Sequence, residues 1–197
     1  MRPLNLNHYS RLFLSVLHLV HYYKNMLETE RLLIRKFTPD DLGKLIELRS
    51  DDEVIEYLGG KRLQNPENIA KRLQAYFDSY EKNNFGVCAM IWKETGEMIG
   101  WSGLQPLEET GETEVGYGMI KEFWGRGIGF ECALAWLKYG FEQAGIERIV
   151  AVAAPENTGS WRIMEKCGMK YEKTDLHYEM ECVFYAITKD EFLKNCD

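Results

Sequence analysis

A chain of 197 residues, 45% hydrophobic and 13% aromatic, has room for one domain with a substantial core. Its formal charge of -7 is a poor match to nucleic acid, whose binding rests on Lys and Arg neutralising phosphates, and a better match to a cationic partner such as an amine or a basic peptide terminus. The five cysteines (Cys88, Cys132, Cys167, Cys182, Cys196) are scattered, odd in number and without a Cys-x-x-Cys pair, which argues against a disulfide framework or a metal site and for a reducing cytoplasm.

Residues 1–25 carry Arg2, Arg11 and Lys24 and no acid. The apolar run Leu12 to Val20 is too short to span a bilayer and lacks a small-residue cleavage site, so no membrane role is expected. This segment is expected to be a dispensable extension, with an amphipathic interaction helix as the competing view, and the domain proper is expected over residues 26–197. Arg31 to Phe37 alternates as a half-buried strand does. Thr38-Pro39-Asp40-Asp41 supplies an N-cap, a proline at the first helical position and acids in the first turn. Asn65-Pro66-Glu67 starts a second helix whose stripe Ile69, Leu73, Tyr76, Phe77 and Tyr80 reads as core packing.

From Phe85 the period changes. Phe85 to Trp92, Met98 to Leu107 and Glu112 to Ile120 read as strands, the first two joined as a hairpin through Lys93 to Glu97. A helix to about Ala144, closed by Gly145, precedes a buried strand over Arg148 to Ala154. Ser160 to Cys167 reads as a helix closed by Gly168, and Tyr178 to Ile187 as a final strand. Thr188-Lys189-Asp190-Glu191 forms a capping box for a terminal helix. The order predicts a single α/β domain, a mixed and mostly antiparallel twisted sheet flanked by helices.

The segment Phe123-Trp124-Gly125-Arg126-Gly127-Ile128-Gly129-Phe130-Glu131 lies between a strand and a helix. Three glycines at alternate positions clear side chains from the turn, so that successive N–H groups can converge on an anion at the positive end of the helix. A diphosphate is the expected guest. No Gly-Lys-Ser/Thr follows, and Phe130 stands where a dinucleotide fingerprint needs its third glycine. A nucleotide-binding protein that uses the loop for ATP is disfavoured further because no magnesium ligand follows it.

The loop resembles the pyrophosphate loop of the GNAT superfamily of acetyl-CoA-dependent N-acetyltransferases. Glu114-Val115-Gly116-Tyr117, Asn157-Thr158-Gly159-Ser160, Glu165-Lys166-Cys167-Gly168-Met169 and Leu27-Glu28-Thr29-Glu30-Arg31-Leu32 add to the likeness, in an order typical of the branch that acetylates ribosomal-protein N-termini. The resemblance covers residues 27–190 and implies the GNAT fold, acetyl-CoA as co-substrate and an amine acceptor. It implies that the main-chain groups of Arg126, Gly127, Ile128, Gly129 and Phe130 hold the diphosphate. It also implies that the strand end at Met119, Ile120 and Lys121 splays to receive pantetheine and to polarise the acetyl carbonyl, and that Asn157 bonds the cofactor or a water. Two departures stand out. Trp124 replaces the common Gln or Arg, and Met164 stands where many members carry the tyrosine that protonates the departing thiolate.

An amine of pKa about 10 reaches neutral pH protonated and needs a base. His8, His18 and His21 lie in the extension, and the lone His177 reads as a surface residue. Glu114 is the leading candidate base and Glu179, on the last strand, its rival. The competing account of Glu114 is an ordinary strand-face charge. The resemblance to the ribosomal-protein branch implies Ser160, three residues after Asn157, as the acid in place of the missing tyrosine, with a helix N-cap as an equally good account of it. Tyr185 reads as packing. No cysteine sits with His and Asn, so direct attack in a ternary complex is favoured over an acetyl-cysteine at Cys167. The acceptor, a small amine or a protein N-terminus, is not legible: residues 50–65 and 170–180 carry no interpretable motif. A non-catalytic coenzyme A sensor is the alternative reading, and a homodimer is possible.

Overall fold

A computed structural model of the protein describes residues 25–107 and 110–195. Residues 1–24 lie outside the described residues, and with them the expected extension apart from Asn25, which opens the first strand.

The chain opens with β1 (Asn25–Glu28) and β2 (Leu32–Arg35). Thr38 and Asp41 form a reciprocal capping box around Pro39 that launches α1 (Leu42–Leu48). Two four-residue helical turns follow, α2 (Asp52–Ile55) and α3 (Gly60–Leu63), in the stretch that carried no readable motif. Asn65 caps α4 (Pro66–Asn83), its side chain accepting the Asn68 N–H at 2.9 Å. The hairpin of β3 (Val87–Trp92) and β4 (Met98–Pro106) turns through Gly96 at φ 76°. Next come β5 (Thr113–Met119), α5 (Ile128–Glu142), β6 (Arg148–Ala153) and α6 (Thr158–Lys166). The chain closes with β7 (Lys170–His177), β8 (Met180–Thr188) and α7 (Lys189–Lys194), the last opened by the capping box of Thr188 and Glu191.

The eight strands form one sheet in the order β1-β2-β3-β4-β5-β6-β8-β7. Every neighbouring pair is antiparallel except β5 with β6. The stripe Ile69, Leu73, Tyr76 and Tyr80 of α4 is buried in one cluster with Trp136, Leu137 and Phe141 of α5 and the sheet residues. The buried Trp136 indole is satisfied by Ser102 Oγ at 3.0 Å.

Two strand boundaries differ from the sequence reading. β7 is a strand in a stretch with no alternation, because all of it but His177 is exposed and its pairing with β8 alone defines it. Tyr178 and Glu179 take left-handed conformations, φ 52° and 61°, and make the turn between β7 and β8, so Glu179 is not on the last strand. That turn also corrects His177. The imidazole is only 1% exposed and lies 5.5 Å from the Phe184 ring, because the tight return of the chain folds it onto β8.

The feature that positions the site is the short ladder between β5 and β6. Only Thr113 with Ile149 and Glu114 with Val150 are paired, and beyond Glu114 the strands part. Ile120 N–H bonds Ile99 O toward β4 at 3.0 Å. Main-chain groups alternate sides along a strand, so those of Val115, Tyr117 and Met119 face the gap. The parting therefore begins five residues before Ile120.

Candidate active site

Both glycines ahead of α5 take left-handed φ, Gly125 at 69° and Gly127 at 78°, which side chains resist. Gly127 is the N-cap of α5 and offers no side chain to satisfy the helix end. Glu131 N–H is the first to bond within the turn, to Gly127 O at 3.1 Å. The N–H groups of Ile128, Gly129 and Phe130 precede it without an intrahelical acceptor, at the positive end of a 15-residue helix.

This turn is tied down from a distance. The Glu131 carboxylate accepts from Thr29 Oγ1 at 2.5 Å, Arg31 N–H at 2.9 Å and Arg31 Nε at 2.7 Å, while Arg31 Nη1 donates to Arg126 O at 2.9 Å. Burial alone would raise the Glu131 pKa, but these bonds outweigh it and hold the carboxyl below its ordinary value. The opening sequence motif is thus the brace of the glycine loop.

Two cavities meet where β5 and β6 part. The larger, about 490 Å³, is lined by Met119, Gly127, Ile128, Gly129 and Phe130, with Gly159 and Arg162 of α6 opposite. The smaller, about 160 Å³, is lined by Glu114, Gln105, Tyr178, Arg49, Arg72 and Met164 among others. Tyr57, Leu58, Tyr117, Asn157 and Ser160 line both. The smaller volume is close to that of an apolar cavity that admits benzene, about 150 Å³, which limits what it encloses to a small group.

Of the residues expected at the cofactor, Met119, Gly127, Ile128, Gly129, Phe130 and Asn157 are brought together on the larger cavity. Ile120, Lys121 and Arg126 stand outside its lining. The Ile120 N–H is engaged by Ile99 O, Lys121 Nζ is paired with Glu53, and the Arg126 guanidinium lies 5.2 Å from the Phe123 ring.

Among the expected catalytic residues, Glu114 is 4% exposed and accepts hydrogen bonds from Tyr178 O–H and from Gln105 Nε2 at 2.9 Å. Glu179 is separate: its side chain is 71% exposed and pairs with Arg62 at 2.5 Å. Ser160 does not cap α6. Asn157 does, its Oδ1 accepting Ser160 N–H at 3.2 Å, because the helix starts two residues earlier than the sequence spacing suggested. The Ser160 hydroxyl is therefore not used by a cap, and it sits 3.3 Å from the Tyr117 phenol, which also donates to Ser160 O at 3.1 Å. Burial raises the Tyr117 pKa well above the phenol range, against the lowering effect of the Ser160 bond. Met164 is buried beside them and leaves no phenol at its own position.

Sequence reading missed Tyr117, Tyr178, Gln105 and Tyr57 as site residues. Only Tyr117 had a signal, being part of the quoted Glu114-to-Tyr117 motif. Among the described thiols only Cys182 lines either cavity; burial pushes Cys167 up to about 12, and it lies outside both linings.

The family model described as an acetyltransferase (GNAT) domain matches residues 31–170, from the Arg31 brace through the loop and α6. The chain belongs to the GNAT acetyltransferase family. It is 30% identical to the uncharacterized N-acetyltransferase p20 of Bacillus licheniformis over 84% of this chain and 97% of that protein. A GNAT-family acetyltransferase structure from Bacillus anthracis superposes with a TM-score of 0.67 at 28% identity, covering 83% of this chain and 98% of that one. A putative ribosomal-protein-serine acetyltransferase of Vibrio cholerae shares the fold, with a TM-score of 0.67 at 17% identity over 85% and 98% of the two chains. GNAT enzymes draw their acetyl group from acetyl-CoA, and the eight-stranded sheet with flanking helices is the GNAT fold that the sequence predicted. Among the described residues no helix is long and apolar enough to cross a membrane, and no His, Cys, Asp or Glu group could hold a metal.

Proposed function

We propose that this GNAT enzyme moves the acetyl group of acetyl-CoA to a small primary amine, or to the first residue of a protein N-terminus, by direct attack in a ternary complex. The observation that carries this is the shared wall of the two cavities, formed by Tyr117, Asn157 and Ser160 with Tyr57 and Leu58. A donor on the α5 side and an acceptor on the Glu114 side would meet there.

Acetyl-CoA supplies the activated thioester. The N–H groups of Ile128, Gly129 and Phe130 would bind its diphosphate, where converging donors and the helix dipole both favour an anion. Val115, Tyr117 and Met119 direct main-chain groups toward the gap that a pantetheine arm would occupy. The Met119 carbonyl already accepts from the Trp124 indole at 2.8 Å, which orders the turn into the glycine loop and gives Trp124 a positioning role.

Glu114 is the base in this reading. An ammonium delivered to the smaller cavity transfers a proton to the carboxylate, directly or through one water, and the free amine attacks the acetyl carbon. Tyr178 and Gln105 hold the carboxylate in place for that transfer. As the C–S bond breaks, Ser160 Oγ gives its proton to the thiolate and takes up the proton that the attacking nitrogen sheds on becoming an amide, directly or relayed through the Tyr117 hydroxyl, so both hydroxyls are restored and Glu114 returns its proton to solvent. Burial keeps the Tyr117 phenol protonated throughout the neutral range. A cytoplasmic setting goes with this reading, since the described cysteines Cys88, Cys132, Cys167 and Cys182 are all free.

The test is release of free thiol from acetyl-CoA with small amines and short peptides, varying both substrates. Intersecting initial-rate lines are expected. Parallel lines would instead indicate an acetyl-enzyme, and tight coenzyme A binding without turnover of any amine would favour the sensor.

A further inference from the structure

The smaller cavity carries two arginines and a single carboxylate, Glu114. Arg49 is 4% exposed, stacks at 3.9 Å on the Trp101 ring and donates to Gln64 Oε1 at 2.9 Å and weakly to Tyr76 O–H at 3.4 Å. Its Nε is buried without a hydrogen-bond partner, and so is Nε of Arg72. Among the described residues neither guanidinium forms an ion pair with an acid. Each lines the smaller cavity, together with Glu114. The two repel one another: burial first, and the Arg72 charge with it, pull the Arg49 pKa down to about 10 against the favourable effect of Tyr76.

A buried guanidinium with an unsatisfied donor beside a second cation is costly unless something pairs with it. Neither arginine has a place in the chemistry of acetyl transfer as described. Glu114 and the rings of Tyr57, Trp101 and Tyr178 suit one ammonium, but two arginines in the same lining would repel the further charges of a polyamine or another polycation. The opposite guest suits both ends: its amine beside Glu114 and its anion against the terminal donors of Arg72, with Arg49, whose own Nη atoms are held by Gln64 and Tyr76, adding positive charge behind it.

We infer that the acceptor is a small amine bearing an anionic group, a carboxylate or a phosphate, which Arg49 and Arg72 recognise. This rests on the acetyl-transfer reading above and narrows it. The overall acidity of the chain pointed toward a cationic partner, whereas the local charge of this cavity points toward a zwitterion. A carboxylate source would be an amino acid, and a phosphate source an aminoalkyl phosphate.

The experiment compares twins that differ only in charge: β-alanine with β-alaninamide, alanine with alaninamide, phosphoethanolamine with ethanolamine, and spermidine as the polycation. Thiol release is measured for wild type, Arg72→Gln, Arg72→Lys and Arg49→Gln. Arg72 is half-buried, so its replacement tests recognition with less risk to the core than Arg49. The anionic twin of one source is expected to lead its neutral partner in kcat/KM by at least about tenfold, the factor expected from one charge-assisted hydrogen bond. Which pair shows the lead distinguishes carboxylate from phosphate. Arg72→Gln is expected to bring that ratio toward one through KM, and Arg72→Lys to restore part of it. Equal or better use of neutral twins or spermidine would overturn the inference while leaving acetyl transfer intact. If no amine is turned over, calorimetric titration of the coenzyme A-loaded protein with β-alanine and with phosphoethanolamine decides the matter. Saturable binding weakened by Arg72→Gln would support the inference, and no binding of either would overturn it.

Discussion

Arg31 Nε lies 2.7 Å from Glu131 Oε2, joining the turn after β1 to the first turn of α5 across 100 residues of sequence. With Thr29 and the Arg31 main chain on the same carboxylate, and Arg31 Nη1 on Arg126 O, one acid and one base hold the glycine loop to the sheet. Acids are favourable in the first helical turn, and here that position also carries a tertiary brace.

Glu131→Gln is expected to loosen the loop. The KM for acetyl-CoA should rise several-fold with a smaller change in kcat, because the defect lies in donor binding. Steady-state kinetics at saturating acceptor would check this. The pH dependence of stability follows from the sign of the shift. Glu131 has a folded pKa below its ordinary 4.5, so its contribution is present above that value and is lost as pH falls through the folded pKa. Unfolding midpoints measured from about pH 7 downward should fall less steeply on the acid side for Glu131→Gln than for wild type.

Gly118→Ala tests the packing behind the acceptor cavity. A Cβ there would come within 2.3 Å of the Trp101 ring, the same ring on which Arg49 stacks. Overpacking of this kind costs about 1–3 kcal/mol. A lower melting temperature is expected, together with a raised KM for the acceptor as Trp101 and Arg49 shift.

Cys167→Ala should retain acetyl transfer. The thiol is buried at the end of α6 with its pKa pushed up to about 12, so almost none is thiolate at neutral pH. Loss of turnover with intact fold, or a trapped acetyl-cysteine seen by mass spectrometry, would revive the covalent route.

Glu179→Gln is expected to leave turnover near wild type. Its ion pair with Arg62 is solvent-exposed on both sides, and pairs of this kind contribute about 0–1 kcal/mol. Comparison of kcat with that of Glu114→Gln separates the two carboxylates that sequence spacing left as rivals.

What was legible in the sequence was local. Thr38-Pro39, Asn65-Pro66 and the Thr188 box started helices where expected, since a cap and its amide lie within three residues of each other. Gly127 and Gly145 were readable because a positive φ is a demand on one residue. The acceptor side was not legible. Arg49, Arg72, Gln105 and Tyr178 come from the C-cap of α1, α4, β4 and the β7–β8 turn, far apart in sequence, and only the tertiary fold brings them to one cavity. His177 was misjudged as surface because its neighbours in sequence are exposed while its burial comes from Phe184. Of the two accounts left open for Ser160, the cap falls to Asn157, three residues earlier.

The most direct measurement is kcat of Glu114→Gln on the best acceptor, beside its affinity for coenzyme A by calorimetry. The account predicts unchanged coenzyme A binding with kcat reduced by about 10²–10⁴-fold and loss of the acidic limb of the pH–rate profile. A variant that binds coenzyme A and turns over within about twofold of wild type would contradict Glu114 as the base.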